Sequence, residues 1–210
     1  MVKKRCVIVG ASPAAGFEFI EKRINSDDFV ICADGGRDLI AKTSIIPDLV
    51  IGDMDSALNM ELFDNVPVEV LPVAKDDTDT MYCVKTALEK GFTEFLFLGV
   101  MGGRADHTLA NLSVLLYLRE HNAEGTLASE YEDITLLKKG RNELNGVKGR
   151  TISVMPFACG SVKLTYSGLL YPLKEAVVGA EYPYTLSNAA VENAVEIILH
   201  EGNALLMINN

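Results

Sequence analysis

The sequence predicts a mixed α/β protein in which a parallel-sheet unit over residues 1–123 precedes an all-β unit over 124–210. Three observations carry that expectation. Apolar runs of strand length alternate with segments of helical period as far as about residue 123, the rhythm of parallel βαβ units. In that part, polar or glycine-rich clusters follow the strand-like runs. Beyond it, short alternating runs separated by glycine-containing turns take over, as in antiparallel sandwiches and partly open barrels.

Val2 to Val9 reads as a first strand, closed by Gly10-Ala11-Ser12-Pro13. That turn invites a P-loop reading, but no Gly-Lys-Ser/Thr follows Gly16, so the motif fails. A short helix is expected from Phe17 towards Asn25, then a strand over Phe29 to Ala33 ending in Asp34-Gly35-Gly36. Leu39 and Ile40 belong to a second helix, which Pro47 ends. Leu49 to Ile51 is a short buried strand, and Leu58 to Phe63 a helix after it. Val66 to Val73 reads as a peripheral or interrupted strand, because it carries Pro67 and Pro72. Met81, Val84, Ala87 and Leu88 recur at helical spacing, with Gly91 as the stop. Glu94 to Met101 is the most apolar strand, and Leu109, Leu112, Leu115 and Leu116 mark the next helix. In the second part, strands are expected at Ile134 to Lys138, Thr151 to Met155, Val162 to Tyr166, Val195 to Leu199 and Ala204 to Ile208.

Parallel strands bring the clusters that follow them to one edge of the sheet, where open α/β sheets place ligands. The clusters are Asp34; Asp53 with Asp55; Asp76 to Asp79; and Arg104 to His107. In Gly52-Asp53-Met54-Asp55-Ser56, the glycine permits a backbone conformation that a Cβ would resist. Two carboxylates at i and i+2 repel unless a cation lies between them, and hard oxygen ligands suit Mg²⁺. An Asp-rich turn with a helix cap reads from the same residues. Arg104 beside Gly102 and Gly103 is a bidentate phosphate donor where backbone amides can approach an anion, or a surface arginine pairing with Asp106. Asp106 and His107 begin a helix that Asp106 can cap. Asp79 is a metal-site candidate or a first-turn carboxylate stabilised by the helix dipole.

A net charge of −10 argues against a general nucleic-acid or membrane-surface binder, and an anionic substrate would need a local cation to offset it. Cys6, Cys32, Cys83 and Cys159 lack metal-like spacing; the first three read as small core residues. Lys3-Lys4-Arg5 is followed by too short an apolar run for a signal peptide, and no stretch approaches the roughly 20 apolar residues of a membrane helix. A cytoplasmic location is the simplest expectation.

The ordered set Ala33-Asp34-Gly35-Gly36, Gly52-Asp53-Met54-Asp55-Ser56, Lys75-Asp76-Asp77-Thr78-Asp79 and Gly102-Gly103-Arg104-Ala105-Asp106-His107 resembles the thiamine pyrophosphokinase family. Gly168-Leu169-Leu170-Tyr171-Pro172-Leu173 and Leu186-Ser187-Asn188 look like its carboxyl-terminal half, so the resemblance spans nearly the whole chain. It implies a Rossmann-like α/β domain followed by a β-sandwich domain, and a homodimer with thiamine bound between subunits. The implied reaction moves the β,γ-pyrophosphoryl unit of ATP to the thiamine hydroxyl, leaving AMP, with Mg²⁺ at the phosphates. Asp53, Asp55 and Asp79 match the metal-binding carboxylates. For ATP, the resemblance points to Asp34, Gly35 and Lys75, then to Gly102, Gly103, Arg104, Asp106 and His107. For thiamine, it points to Asp79, Asp106, Ser187 and Asn188. The chain departs from the bacterial pattern at Met54, Met81 and Ala105, where Phe, Glu and Leu are usual. Without Glu at 81 the capping box lacks its second half, leaving Thr78 to cap alone. A pyrophosphokinase for another heterocyclic alcohol such as a pterin, and a nucleotide-binding sensor without activity, are the alternative readings.

Overall fold

The computed structural model describes residues 5–53, 65–72 and 76–210. It forms two compact units, Met1–Glu130 and Tyr131–Asn210. The first extends past residue 123 because Glu124–Ala128 (β6) pairs in parallel with Glu94–Leu98 (β5), continuing the first sheet. Its polar flank and Gly125 hid that strand from sequence reading.

In the first unit, Arg5–Val9 (β1), Phe29–Ala33 (β2), Leu49–Gly52 (β3) and Val68–Val70 (β4) join β5 and β6 in a parallel sheet ordered β6-β5-β1-β2-β3-β4. The inner strands are buried on both faces, which is why they read as continuous apolar runs. Val7, Val9, Val30, Cys32, Val50, Leu96 and Leu98 lie on one face. They pack with Ile20 of Phe17–Arg23 (α1) and Ile40 of Gly36–Ile40 (α2). On the other face, Ala105–Glu120 (α4) sets Leu115 and Leu118 near Phe97, the three converging where Gly125 leaves room. Asp79–Glu89 (α3) packs on β1, β2 and β3.

Most expectations for this unit hold. Cys6, Cys32 and Cys83 are buried core thiols, and Cys159 is half-buried. Thr78 caps α3 alone, its hydroxyl accepting from the Met81 N–H at 3.2 Å. The strand expected over Val66 to Val73 shrinks to Val68–Val70, exposed at the sheet edge, because prolines on either side supply no ladder donor. β5 ends at Leu98 rather than Met101, since Gly99 turns the chain with φ +63°. Leu109 is exposed rather than part of the buried face of α4. Val2, the helix expected at Leu58 to Phe63 and the end of the fourth strand at Val73 fall outside the described residues.

The second unit holds two antiparallel sheets. One is ordered Asn188–Ala189 (β12), Thr151–Pro156 (β9), Ala204–Asn209 (β14), Glu132–Leu136 (β7). The other is ordered Leu173–Gly179 (β11), Ser161–Ser167 (β10), Ala194–Glu201 (β13), Gly140–Asn145 (β8). Val162, Leu164 and Tyr166 alternate inward from β10, as do Val195, Ile197 and Leu199 from β13, into a cluster shared with Ile152, Val154 and Leu206. β8, β11 and β12 were not expected. β8 is polar and β11 mostly exposed, so pairing with β13 and β10 holds them rather than an apolar pattern.

Candidate active site

The strand order decides where a ligand can enter. The chain runs from β1 outward through β2, β3 and β4, then returns to place β5 on the opposite side of β1. The turns after β1 and β5 therefore part in opposite directions, which opens a crevice at the carboxyl ends of the strands. A cavity of about 820 Å³ lies there.

Gly10 to Pro13 from the turn after β1 line it, with Gly99, Val100 and Gly103 from the turn after β5. Asp34 lines it after β2, Thr78 and Asp79 at the start of α3, and Arg104, Asp106, His107 and Asn111 from α4. Two helix N-termini border the cavity, and the positive end of each helix dipole favours an anion.

Asp34 is held in the left-handed region, φ +46°, with its N–H donating to the Ile51 carbonyl at 2.7 Å. Its Oδ1 is buried and has no hydrogen-bond partner among the described residues. Burial pushes this carboxyl above the ordinary carboxylate range, against the pull of the Gly35 N–H; the charges of Asp79 and Asp53 push it further up. A buried carboxyl raised by the charges of neighbouring carboxylates is a setting in which a cation fits. Among the described residues no three His, Cys, Asp or Glu side chains are gathered closely enough to hold a metal ion by themselves. Asp55 lies outside the described residues, as does Lys75.

Arg104 pairs with Asp106, Nε to Oδ1 at 3.1 Å and the terminal nitrogen to Oδ2 at 2.6 Å, both side chains largely exposed. The hydrogen bond raises the arginine and lowers the carboxyl from their ordinary values. Asp106 does not cap α4. The N-cap is Arg104, with no side-chain cap bond, and Asp106 sits in the first turn, accepting from the His107 N–H at 2.9 Å. Helix formation from Ala105 onward places it too late to cap.

The structure thus brings Asp34, Asp79, Gly103, Arg104, Asp106 and His107 to one cavity. Gly35 follows Asp34 as the N-cap of α2, and Gly102 stands in the turn after β5. Asp53 follows β3, near enough for its charge to act on Asp34. Ser187 and Asn188 belong to the second unit. Ser187 is exposed with φ +54°, its N–H donating to Ser153 Oγ at 2.8 Å. Asn188 is buried, its Oδ1 accepting from the Tyr171 N–H at 3.0 Å and its Nδ2 donating to the Tyr171 carbonyl at 2.8 Å.

Sequence reading missed Ala11, Ser12, Pro13, Thr80, Thr108 and Asn111 as lining residues. The signal for the first three was their place after β1, obscured by testing that turn only against the P-loop pattern.

The fold and site define a doubly wound α/β unit with two helix N-termini, an arginine and carboxylates around its switch point. The model for "Thiamin pyrophosphokinase, catalytic domain" matches residues 20–127, just over half of the chain. The chain belongs to the thiamine pyrophosphokinase family. It is 28% identical over 185 residues to the thiamine pyrophosphokinase of Bacillus subtilis, covering 86% of each chain. It is 27% identical to thiamine pyrophosphokinase 1 of Oryza sativa subsp. japonica, over 80% of this chain and 74% of the relative. Among solved structures, the Bacillus subtilis thiamine pyrophosphokinase superposes with TM-score 0.87 at 23% identity, covering 99% of each chain. That from Geobacillus thermodenitrificans gives 0.83 at 21% identity, covering 98% of this chain and 97% of its own. These superpositions establish a shared fold, with its large, mostly parallel sheet and its antiparallel sheet.

Proposed function

We propose that this protein transfers the pyrophosphoryl group of ATP to the hydroxyl of thiamine, giving thiamine diphosphate and AMP. The observation that carries the reading is the switch-point cavity, which gathers Asp34, Asp79, Arg104, Asp106 and His107 in a family member. In the reaction the thiamine oxygen bonds to the β-phosphorus and the bond from that phosphorus to the α,β-bridging oxygen breaks. AMP leaves with the bond's electrons, and the hydroxyl proton is released.

Charge and position account for most of the catalysis in such transfers. Arg104, exposed at the N-terminus of α4, turns from Asp106 or extends beyond it to meet phosphate oxygens. The N-termini of α3 and α4 add donors without cost of reorganisation. Gly35, Gly102 and Gly103 let backbone approach the nucleotide; Lys75 and His107 add positive charge, His107 when protonated. Asp53, Asp55 and Asp79 are the carboxylates that would hold Mg²⁺, which when bound neutralises the phosphate oxygens. Asp34 orients from behind them, and its raised carboxyl, with Oδ1 unpartnered among the described residues, supports the presence of a cation nearby. Asp79 and Asp106 also serve the thiamine side, with Ser187 and Asn188 from the second unit.

The domain reading follows the same lines. A Rossmann-like catalytic domain binding ATP and metal comes first. The two antiparallel sheets form a β-sandwich domain that contributes to thiamine binding and to a homodimer. The protein works in the cytoplasm. Family membership favours thiamine over another heterocyclic alcohol.

The test is AMP release on adding thiamine to protein with Mg·ATP. Equimolar AMP and thiamine diphosphate are expected, with none of either in EDTA. ATP binding without AMP release would identify a sensor instead.

A further inference from the structure

The turn after β5, Gly99-Val100-Met101-Gly102-Gly103, leads directly to Arg104. Glycines at three of its positions, Gly99 and Gly102 with φ of +63° and +86°, give it the largest conformational freedom to lose. The first three carbonyls of this turn are nevertheless each engaged from outside it. The Gly99 oxygen accepts from the Ser12 N–H at 2.8 Å. The Val100 oxygen accepts from Asn111 Nδ2 at 2.8 Å, in a buried bond. The Met101 oxygen accepts from Ser12 Oγ at 2.5 Å. Because each peptide is planar, fixing a carbonyl also fixes the N–H of the next residue. Ser12 and Asn111 thereby set the peptide planes leading to Val100, Met101 and Gly102.

We infer that Ser12 and Asn111 are positioning residues for the anion-binding turn and for Arg104, an inference resting on the nucleotide reading of this cavity. Ser12 is not itself a phosphate donor. Its hydroxyl hydrogen is given to Met101, and its oxygen accepts from the Ala14 N–H at 3.3 Å. Asn111 reaches back from the second turn of α4, so the helix that Arg104 precedes is tied to the turn after β5 by its own side chain. The effect is preorganisation: a glycine-rich turn is held in its binding shape before the ligand arrives, and the ordering cost is not charged to binding.

The experiment measures binding of inorganic tripolyphosphate with Mg²⁺, together with kcat and the KM for ATP, in wild type and in Ser12→Ala. The half-buried Ser12 can lose its oxygen without disturbing the core. On the order of fivefold weaker tripolyphosphate binding is expected, the worth of about one hydrogen bond. A matching rise in the KM for ATP should accompany it, with an unchanged KM for thiamine and an unchanged melting temperature. In an Arg104→Ala background, Ser12→Ala should cost much less, since both act through one contact. Asn111→Leu, similar in volume but without the donor, should reproduce the Ser12→Ala pattern. If Asn111→Leu fails to fold, the Ser12 pair of backgrounds decides alone. Equal tripolyphosphate binding by Ser12→Ala and wild type, or an equal loss with and without Arg104, would overturn the positioning role and leave the nucleotide site standing. Wild type that binds no tripolyphosphate at all would overturn both.

Discussion

Gly52 and Asp34 stand against each other at the carboxyl ends of β3 and β2. A Cβ on Gly52 would lie 2.9 Å from the Asp34 Cα and 3.2 Å from its Oδ1. Gly52 does not adopt a positive φ, so its role is space for the neighbouring backbone rather than the unusual conformation expected from sequence. Gly52→Ala should push Asp34 out of place. We expect a stability loss of about 1–3 kcal/mol, the usual cost of overpacking, seen as a lower urea midpoint. Activity should fall further than this loss accounts for, because Asp34 faces the cavity. Wild-type activity in this variant would detach Asp34 from the reaction.

Asp34 also links the site to pH. Its carboxyl is raised in the folded protein, chiefly by burial, so the fold binds that proton more tightly than the unfolded chain does. Ionisation therefore opposes folding: stability falls as pH rises from the ordinary 3.8 through the raised folded value, and the cost is present in full above that value. Asparagine tolerates the left-handed backbone at this position. Metal-free Asp34→Asn should melt above metal-free wild type at pH 7, with the gap closing as pH falls towards 3.8. Calorimetry in EDTA across that range checks it, and equal melting at pH 7 would contradict it.

Arg104 and Asp106 form an exposed pair, a type worth little to stability. Arg104→Ala should leave the melting temperature nearly unchanged while lowering kcat by the equivalent of about 2–4 kcal/mol, the scale of a lost charge-stabilising contact in the transition state. Steady-state kinetics beside a thermal melt distinguishes the outcomes. A large fall in melting temperature with unchanged kcat would return Arg104 to a structural role.

Asn188 has a structural task whatever its part in thiamine binding. Its buried amide closes both backbone groups of Tyr171, holding the turn that ends at Leu173. Asn188→Ala should cost about 1–3 kcal/mol by leaving those groups unsatisfied. The exposed Ser187 should tolerate alanine with little change in stability. Denaturant unfolding of both variants checks the contrast. Ser187→Ala, rather than Asn188→Ala, is therefore the cleaner probe of the thiamine side.

What could be read in the sequence was local. Continuous apolar runs such as Leu49–Gly52 and the alternation of Val195, Ile197 and Leu199 declare their strands because burial on two faces or on one dictates those patterns. Thr78 declared its cap by standing before a helical period. The ordered acidic and glycine clusters pointed to one sheet edge, and Asp34, Asp79, Arg104, Asp106 and His107 do converge on one cavity.

Tertiary structure decided the rest. β8 and β11 carry little apolar pattern and exist because β13 and β10 offer their ladders. β5 settles beside β1 rather than β4, a choice made by long-range pairing that no local window contains. That choice draws the turn after β1 into the cavity and brings Ser12 to Met101, 89 positions away. Local side-chain pattern determined which segments are strands and helices and which residue types follow them. The order in which the strands pair, settled by packing and hydrogen bonds between distant segments, determined which of those residues share a site.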